Sequence, residues 1–138
     1  TISEAHAPRY YSEVGLGLDF TARDIQSELK AQGHPWERAK AFDGSAVVGD
    51  FVSLEALGKP IEDLQFTLHN HEQEVQHGHS GDMLFSVNRL IAEVSQFMTL
   101  KMGDLLFTGT PAGVGSVHAG DRLRGTLEGR EMFAVNIR

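Results

Sequence analysis

Four polar side chains in the first third of the chain are of the types that bind and activate small anions. Asp19, Arg23 and Gln26 offer a carboxylate, a guanidinium and an amide in close succession, and Lys40 follows after one short segment. A guanidinium can grip a carboxylate through two parallel hydrogen bonds, and an ammonium supplies a compact positive charge. A carboxylate oxygen is a ligand that suits Mg²⁺ and Mn²⁺ alike. These four residues are therefore candidate site residues.

A glycine-rich loop lies much later in the chain, between Gly109 and Gly115. Its three glycines permit positive φ angles and close approach to a ligand. The loop lacks the Gly-Lys-Ser/Thr ending of a P-loop, and no helical pattern follows it, so it is not a phosphate cradle of that kind. We expect this loop, residues 15–26 and residues 40–44 to form one wall of a metal-dependent active site.

The stretch that carries Asp19 is predicted to run from a strand into a helix. Apolar side chains in Val14–Phe20 alternate with Gly15, Gly17 and Asp19, and a period of two indicates a strand. The two glycines leave one face of that strand bare. A bare face indicates either close packing of a neighbouring element or room for a bound anion.

The predicted helix begins just after this strand. Thr21 is expected to be its N-cap, with Asp24 completing a capping box, and the helix is expected to end near Gly33. Arg23 and Gln26 then share one face in the first turn. A polar helix face is most often only solvated, but the position beside a carboxylate favours a role in the site.

The rest of the chain is predicted to combine short strands with one long helix, an α+β pattern. The histidines of residues 69–79 fall on a polar hairpin that gives them no reason to converge, so a wet surface is favoured over a zinc site. The predicted elements are a loop at His34–Ala39, a hairpin of Leu64–Leu68 and Gln73–Gln76, a helix opened by Ser80–Asp82 and reaching Phe97, a buried strand at Leu105–Thr108, and strands at Arg122–Leu127 and Met132–Arg138.

Composition excludes several classes of protein. The chain has 138 residues, which is one domain or part of one, and a formal net charge of −7, which argues against a nucleic-acid binder. It has no run of about 20 apolar residues that would span a membrane. It has no cysteine, which excludes thiol-ligated metals and fits a cytoplasmic location.

A succession of motifs gives the chain a more specific interpretation. They are Asp19–Gln26, Lys40–Asp43, Gly81–Met83, Thr108–Gly115 and Gly120–Asp121. In content, order and spacing they are similar to the fumarylacetoacetate hydrolase family, and they match its acylpyruvase and oxaloacetate decarboxylase-like branch best. Any one of these motifs is weak evidence, whereas several in order are strong, and the resemblance covers essentially the whole chain.

The resemblance implies a fold, a metal and a set of roles. The fold is a mixed β-sandwich roll, usually a homodimer, that holds one Mg²⁺ or Mn²⁺ and acts on a small 2-oxo acid. Asp19 matches the family's metal-binding aspartate. Arg23, Gln26 and Lys40 match the groups that hold the substrate's oxygens or stabilise the oxyanion. Thr110 matches the threonine whose loop contacts the substrate carboxylate.

The resemblance also implies parts that are not found in this chain. The family's other metal carboxylates come from a Glu-x-Glu motif upstream of the aspartate, and a mobile lid with a His-Glu pair lies further upstream. Glu4 and Glu13 stand alone and match neither. We therefore expect residues 1–138 to form a single catalytic domain that is incomplete at its N-terminal side. Asp19 alone would hold Mg²⁺ poorly, because this cation usually needs more than one protein carboxylate.

The activity implied is hydrolysis of the carbon–carbon bond of an acylpyruvate or a similar diketo acid through a metal-stabilised enolate. Oxaloacetate decarboxylation and an isomerisation of aromatic catabolism are alternatives within the family. A non-catalytic domain that serves only in assembly is the alternative outside enzymology.

Overall fold

The computed structural model describes all residues 1–138 and contains six strands, four α-helices and two 3₁₀ helices. The strands are β1 (Glu13–Asp19), β2 (Ala46–Ser53), β3 (Gln65–Asn70), β4 (Gln73–His79), β5 (Arg122–Leu127) and β6 (Arg130–Asn136). The α-helices are α1 (Arg23–Ala31), α2 (Glu37–Lys40), α3 (Leu54–Leu57) and α4 (Val87–Phe97), and the 3₁₀ helices are Glu4–Arg9 and Ser80–Asp82. No helix has both the length and the apolar content needed to cross a membrane.

The strands form two antiparallel sheets. β1 pairs with β2 alone, and the second sheet has the order β4-β3-β5-β6. The predicted α+β class is confirmed, as are the hairpin of β3 and β4 and the two last strands. The turn of that hairpin places His71 at φ 53°, a conformation that glycine adopts at less cost.

The core lies between the two sheets and is small. Its buried members come from both sheets and from the connection between them: Val52, Ile61, Leu64, Leu127 and Met132. A side chain at Gly49 would run into the backbone of Met132, so the glycine lets β2 approach β6 closely. Burying each large apolar side chain contributes about 1.5 to 3 kcal/mol, and this interface is what joins the sheets.

The long helix begins later than its sequence pattern predicted. Ser80–Asp82 is a separate 3₁₀ turn, and Met83 is extended, so α4 starts only at Val87. The hydroxyl of Ser86 accepts a hydrogen bond from the backbone N–H of Arg89 and caps the helix there. The expected start was wrong because this cap decides it, and Leu84 is consequently left 95% exposed.

The predicted buried strand at Leu105–Thr108 is also wrong for this chain. Residues 105–117 make no backbone-to-backbone hydrogen bond, and the apolar side chains of Leu105 and Phe107 are about half exposed. The segment has the composition of a strand but no neighbouring strand to pair with. A ladder needs two partners, so composition alone does not produce one.

One smaller expectation is corrected near the site. The predicted loop at His34–Ala39 contains the start of α2, which Glu37 opens with its acidic side chain in the first turn. Ala39 of that helix is fully buried, and this burial is what holds the short helix in place.

Candidate functional site

The candidate site lies between the end of β1 and the beginning of α1. The backbone N–H of Phe20 donates to the carbonyl of Ser45 at 2.7 Å, and that of Ala22 donates to the carbonyl of Ala39 at 3.0 Å. These two bonds tie the strand end to α2 and to the turn that follows it. They bring Lys40 next to Asp19 although 21 residues separate the two in sequence.

Lys40 and Asp19 form an ion pair with a third partner. The Lys40 Nζ atom lies 2.7 Å from Asp19 Oδ2 and donates to Thr21 Oγ1 at 2.8 Å. The Lys40 side chain is 34% exposed and that of Asp19 is 52% exposed, so both remain reachable by a ligand. The ammonium is thereby held at one position on an open surface, which suits it to receive an anion.

Thr21 is not the N-cap that the sequence predicted. Ala22 occupies the cap position, and no side chain caps α1. The Thr21 hydroxyl is engaged by Lys40 instead and lies at 3.5 Å from the carbonyl of Asp19. The prediction failed because a cation from a distant segment competes for the same oxygen. The first-turn amides of α1 therefore face outward without a side-chain acceptor.

Arg23 and Gln26 are neighbours in the first turn of α1, as their spacing predicted. Arg23 Nη1 donates to Gln26 Oε1 at 2.8 Å. This bond orients the guanidinium and turns the amide so that its NH₂ group stays free to donate.

The bare face of β1 is filled rather than open. A side chain at Gly17 would meet the ring of Phe107, and one at Gly15 would meet the ring of Phe51 and the carbonyl of Asp50. Of the two explanations for these glycines, close packing is correct, and room for a bound anion is wrong. Phe107 lies just before the glycine-rich loop, and Gly17 lies two residues before Asp19 in β1. The contact between them therefore brings the start of that loop close to the candidate site.

Thr110 is held on β4 rather than against the ion pair. Its hydroxyl accepts from Gln76 Nε2 at 2.9 Å, and the same amide donates to the carbonyl of Pro111 at 3.1 Å. Gly113 has φ 99° and lies so close to the carbonyl of Val75 that a side chain there would collide with it. Thr110 makes no hydrogen bond to Asp19, Arg23, Gln26 or Lys40.

The chain brings together too few ligands for a complete metal centre. No three side chains of His, Cys, Asp or Glu cluster in a way that could hold an ion. Asp19 offers one carboxylate, of which one oxygen faces Lys40. Since Mg²⁺ and Mn²⁺ need several oxygen ligands, Asp19 fits as one ligand and the chain does not supply the rest.

The structure adds two residues to the candidate site that sequence reasoning missed. Thr21 fixes the Lys40 ammonium, and its position two residues after the carboxylate was the only available signal. Gln76 anchors the loop that carries Thr110, and nothing in the sequence of the polar hairpin distinguished it from its neighbours.

Residues 1–135 match the family described as fumarylacetoacetate (FAA) hydrolase C-terminal. The chain belongs to this family. It is 39% identical over 131 residues to an oxaloacetate tautomerase of Escherichia coli K12, covering 94% of this chain and 59% of the relative. Membership in the hydrolase family confirms the resemblance drawn from the motifs and, with the antiparallel sheets, the fold type.

Two solved structures of the family superpose closely on the chain. A fumarylpyruvate hydrolase of Pseudomonas aeruginosa, in complex with Mn²⁺ and pyruvate, has a TM-score of 0.90 at 34% identity, covering 99% of this chain and 58% of that one. A 2-hydroxyhepta-2,4-diene-1,7-dioate isomerase of Mycobacterium marinum has a TM-score of 0.86 at 32% identity, covering 99% and 51%. The chain thus spans between half and three fifths of the length of these relatives. The relatives that match this chain are thus named for three different reactions.

Proposed function

We propose that this chain forms the substrate-holding wall of a metal-dependent enzyme that cleaves 2-oxo acids, and that its reaction is hydrolysis of an acylpyruvate. The observation that carries the proposal is the Lys40 ammonium, which is fixed between Asp19 and Thr21 on an open surface. A related fold that holds Mn²⁺ and pyruvate supports the same class of substrate.

The reaction needs positive charge where an enolate forms. Water adds to the acyl carbonyl of R–CO–CH₂–CO–COO⁻, and the bond between that carbon and the CH₂ group breaks. The bonding electrons pass to the pyruvate portion as an enolate, which takes a proton at carbon, and the acyl part leaves as a carboxylate. We assign to Lys40 the stabilisation of the oxyanion in this step, a contribution of about 3 kcal/mol for one well-placed donor.

Arg23, Gln26 and Thr110 receive the roles of substrate binding in this proposal. Arg23 is oriented by its bond to Gln26 and can grip the substrate carboxylate with two parallel hydrogen bonds. The free amide hydrogens of Gln26 add a neutral donor. The Thr110 hydroxyl accepts from Gln76, so its own hydrogen stays available to donate to the substrate carboxylate.

Asp19 is proposed as one ligand of a divalent cation, either Mg²⁺ or Mn²⁺. Such a cation supplies an electron sink for the 2-oxo oxygen. Because this chain offers a single carboxylate at the candidate site, the other ligands in the proposal come from polypeptide beyond residues 1–138.

The assembly we propose for the whole protein is a homodimer, and light scattering measures its mass directly.

A second candidate is keto–enol interconversion of oxaloacetate. The identity to the Escherichia coli tautomerase favours it. This reaction moves a proton between carbon and oxygen and breaks no carbon–carbon bond, but it passes through the same enolate. The chain's residues would therefore act alike in both reactions, and the products distinguish them: a carboxylate and pyruvate for hydrolysis, and an isomer of unchanged mass for tautomerisation.

The test compares Lys40→Met with Lys30→Met in the whole protein. Lys30 is exposed on α1, and its side chain makes no hydrogen bond, so it controls for loss of one positive charge. We expect kcat to fall roughly a hundredfold in Lys40→Met, with metal affinity unchanged, and to stay constant in Lys30→Met. A loss of metal affinity without a loss in kcat would refute the oxyanion role.

A parallel pair tests the metal ligand. Asp19→Asn should abolish both Mn²⁺ binding in calorimetry and turnover, whereas Asp43→Asn, in an exposed turn, should change neither. Normal Mn²⁺ binding by Asp19→Asn would refute the assignment. Absence of any turnover by the unaltered whole protein on acylpyruvates and on oxaloacetate would instead support the non-catalytic alternative.

A further inference from the structure

One side chain supplies the hydrogen bonds that join residues 105–117 to the rest of the chain. The Gln76 Nε2 atom, on β4, lies 2.9 Å from Thr110 Oγ1 and 3.1 Å from the carbonyl oxygen of Pro111. The carbonyl oxygen of Ala112 lies 3.5 Å from the same nitrogen. No backbone-to-backbone hydrogen bond involves residues 105–117. The glycine-rich loop is therefore hydrogen-bonded to the rest of the chain through a single amide group.

The neighbours of this amide decide which way it faces. A glutamine side chain has an NH₂ group that only donates hydrogen bonds and an oxygen that only accepts them. The carbonyl oxygens of Pro111 and Ala112 also only accept, so the NH₂ group of Gln76 has to face the loop. The Thr110 hydroxyl meets the same NH₂ group and must accept a hydrogen bond there as well.

The hydroxyl hydrogen of Thr110 is left for another partner. A hydroxyl group donates one hydrogen bond and can also accept. The Thr110 oxygen accepts from Gln76, and the hydroxyl donates to no atom of this chain. The residue is also exposed, so a ligand can reach this hydrogen. Gln76 thus leaves Thr110 as a hydrogen-bond donor toward the open side of the loop.

We propose that Gln76 is a positioning residue that directs the Thr110 hydroxyl to donate its hydrogen to the substrate carboxylate. The inference rests on the proposed function, in which Thr110 binds that carboxylate. The N–H donated to the hydroxyl oxygen polarises the O–H bond, so the bonds from amide to hydroxyl and from hydroxyl to carboxylate strengthen each other. A hydrogen bond to an ionised carboxylate is also roughly twice as strong as one between neutral groups.

The substitution Gln76→Glu separates this role from simple tethering of the loop. It keeps the size of the side chain and replaces the NH₂ group with an oxygen that, when ionised, only accepts. The Thr110 hydroxyl would then donate to the introduced carboxylate. The link between β4 and Thr110 would persist, but the hydroxyl hydrogen would no longer be available to the substrate.

Calorimetry on the whole protein, with Mn²⁺ and pyruvate as the probes, measures the effect. The dissociation constant of pyruvate should rise at least about tenfold in Gln76→Glu, as expected for loss of a hydrogen bond to a charged group, while Mn²⁺ affinity stays constant. Gln73→Glu is the matched control and should change neither value, because Gln73 is exposed on the same strand and its side chain makes no hydrogen bond. A thermal melt shows that each variant is folded.

The same substitution in a Thr110→Val background makes the test specific to the hydroxyl. Thr110→Val alone should weaken pyruvate binding about tenfold, and Gln76→Glu should then add no further loss, because the group it acts through is gone. Thr110→Ser keeps the hydroxyl and should bind pyruvate nearly as well as the unaltered protein. In turnover, Gln76→Glu should raise KM and leave kcat constant, since the proposal assigns the oxyanion to Lys40.

Three results would overturn the proposal, and they differ in what they reject. Unchanged pyruvate affinity in Gln76→Glu would show that this amide does not direct the hydroxyl toward the ligand. An equally large further loss in the Thr110→Val background would assign the effect to the added negative charge or to displacement of the loop. Failure of the unaltered, Mn²⁺-loaded protein to bind pyruvate would reject the proposed function itself, and the role of Gln76 with it.

Discussion

The sandwich core and the 105–117 region contain similar apolar side chains but differ in how far these are buried and in whether the backbone is paired. Leu127 is 2% exposed, in the strand β5 that hydrogen-bonds to β3 and β6 within its sheet and packs in the core between the two sheets. Leu105 is 51% exposed, in a segment whose backbone pairs with nothing. Apolar content is therefore not what buries a strand. What buries a strand is a paired neighbour and an opposing layer, and the chain supplies both for β5 but not for residues 105–117.

The candidate site resembles the sandwich core, because its backbone is paired within this chain. Its backbone bonds join residues 20 and 22 to residues 45 and 39, so both segments that build it lie within this chain. For that reason the Lys40–Asp19 pair forms within this chain, whereas the surface next to it stays open.

The largest effect expected from this comparison is on stability. Leu127→Ala should lower the free energy of unfolding by about 3 kcal/mol, because it leaves a cavity in a filled core. Leu105→Ala should lower the free energy by less than about 1 kcal/mol in the same chain, because the side chain is already 51% exposed and is not part of the core cluster. Urea unfolding measures both. Equal losses would show that the 105–117 region is already packed.

A medium effect is expected where the glycine loop docks. Gly113→Ala should cost about 1 to 2 kcal/mol, since φ 99° is strained for alanine and the new methyl group meets the carbonyl of Val75. Gly115→Ala is the matched control, with nothing near its added atom. Thermal unfolding compares the two variants. If both lose the same stability, the loop is not held by its contact with β4.

The smallest effect is a pH dependence at the edge of the core. The backbone N–H of Gln65 and the ammonium of Lys59 lower the pKa of Glu128 below its ordinary value of about 4.5. The stability that Glu128 contributes is therefore present above that pH and is lost as the pH falls through the lowered pKa. Glu128→Gln should flatten the acid side of the melting-temperature profile, with Glu131→Gln as the exposed control. Identical acid limbs in the wild type and Glu128→Gln would contradict this.

Much of the fold could be predicted from sequence because its signals are local. The alternation of β1, the hairpin of β3 and β4 and the last two strands were confirmed. The start of α4 was missed because a serine cap outweighed the apolar periodicity that reached back to Met83. The strand at Leu105–Thr108 was misassigned because pairing is not a property of one segment.

For the candidate site, too, the predictions that rest on local spacing were correct and those that depend on distant residues were not. The grouping of Arg23 with Gln26 was predictable, since helical spacing alone brings them together. The Thr21 cap was wrong and the part played by Gln76 was missed, because each depends on a residue that lies many positions away.

By itself the sequence determined the residue types of the site, the family through its ordered motifs, and the strands whose periodicity is strong. Only the tertiary structure decided that Lys40 bonds Asp19 and Thr21, that Phe107 rather than an anion covers Gly17, and that Leu105–Thr108 lacks a partner. The reason is physical: propensity and periodicity act within one segment, whereas an ion pair, a filled strand face and a β-ladder each require a second segment at a fixed distance.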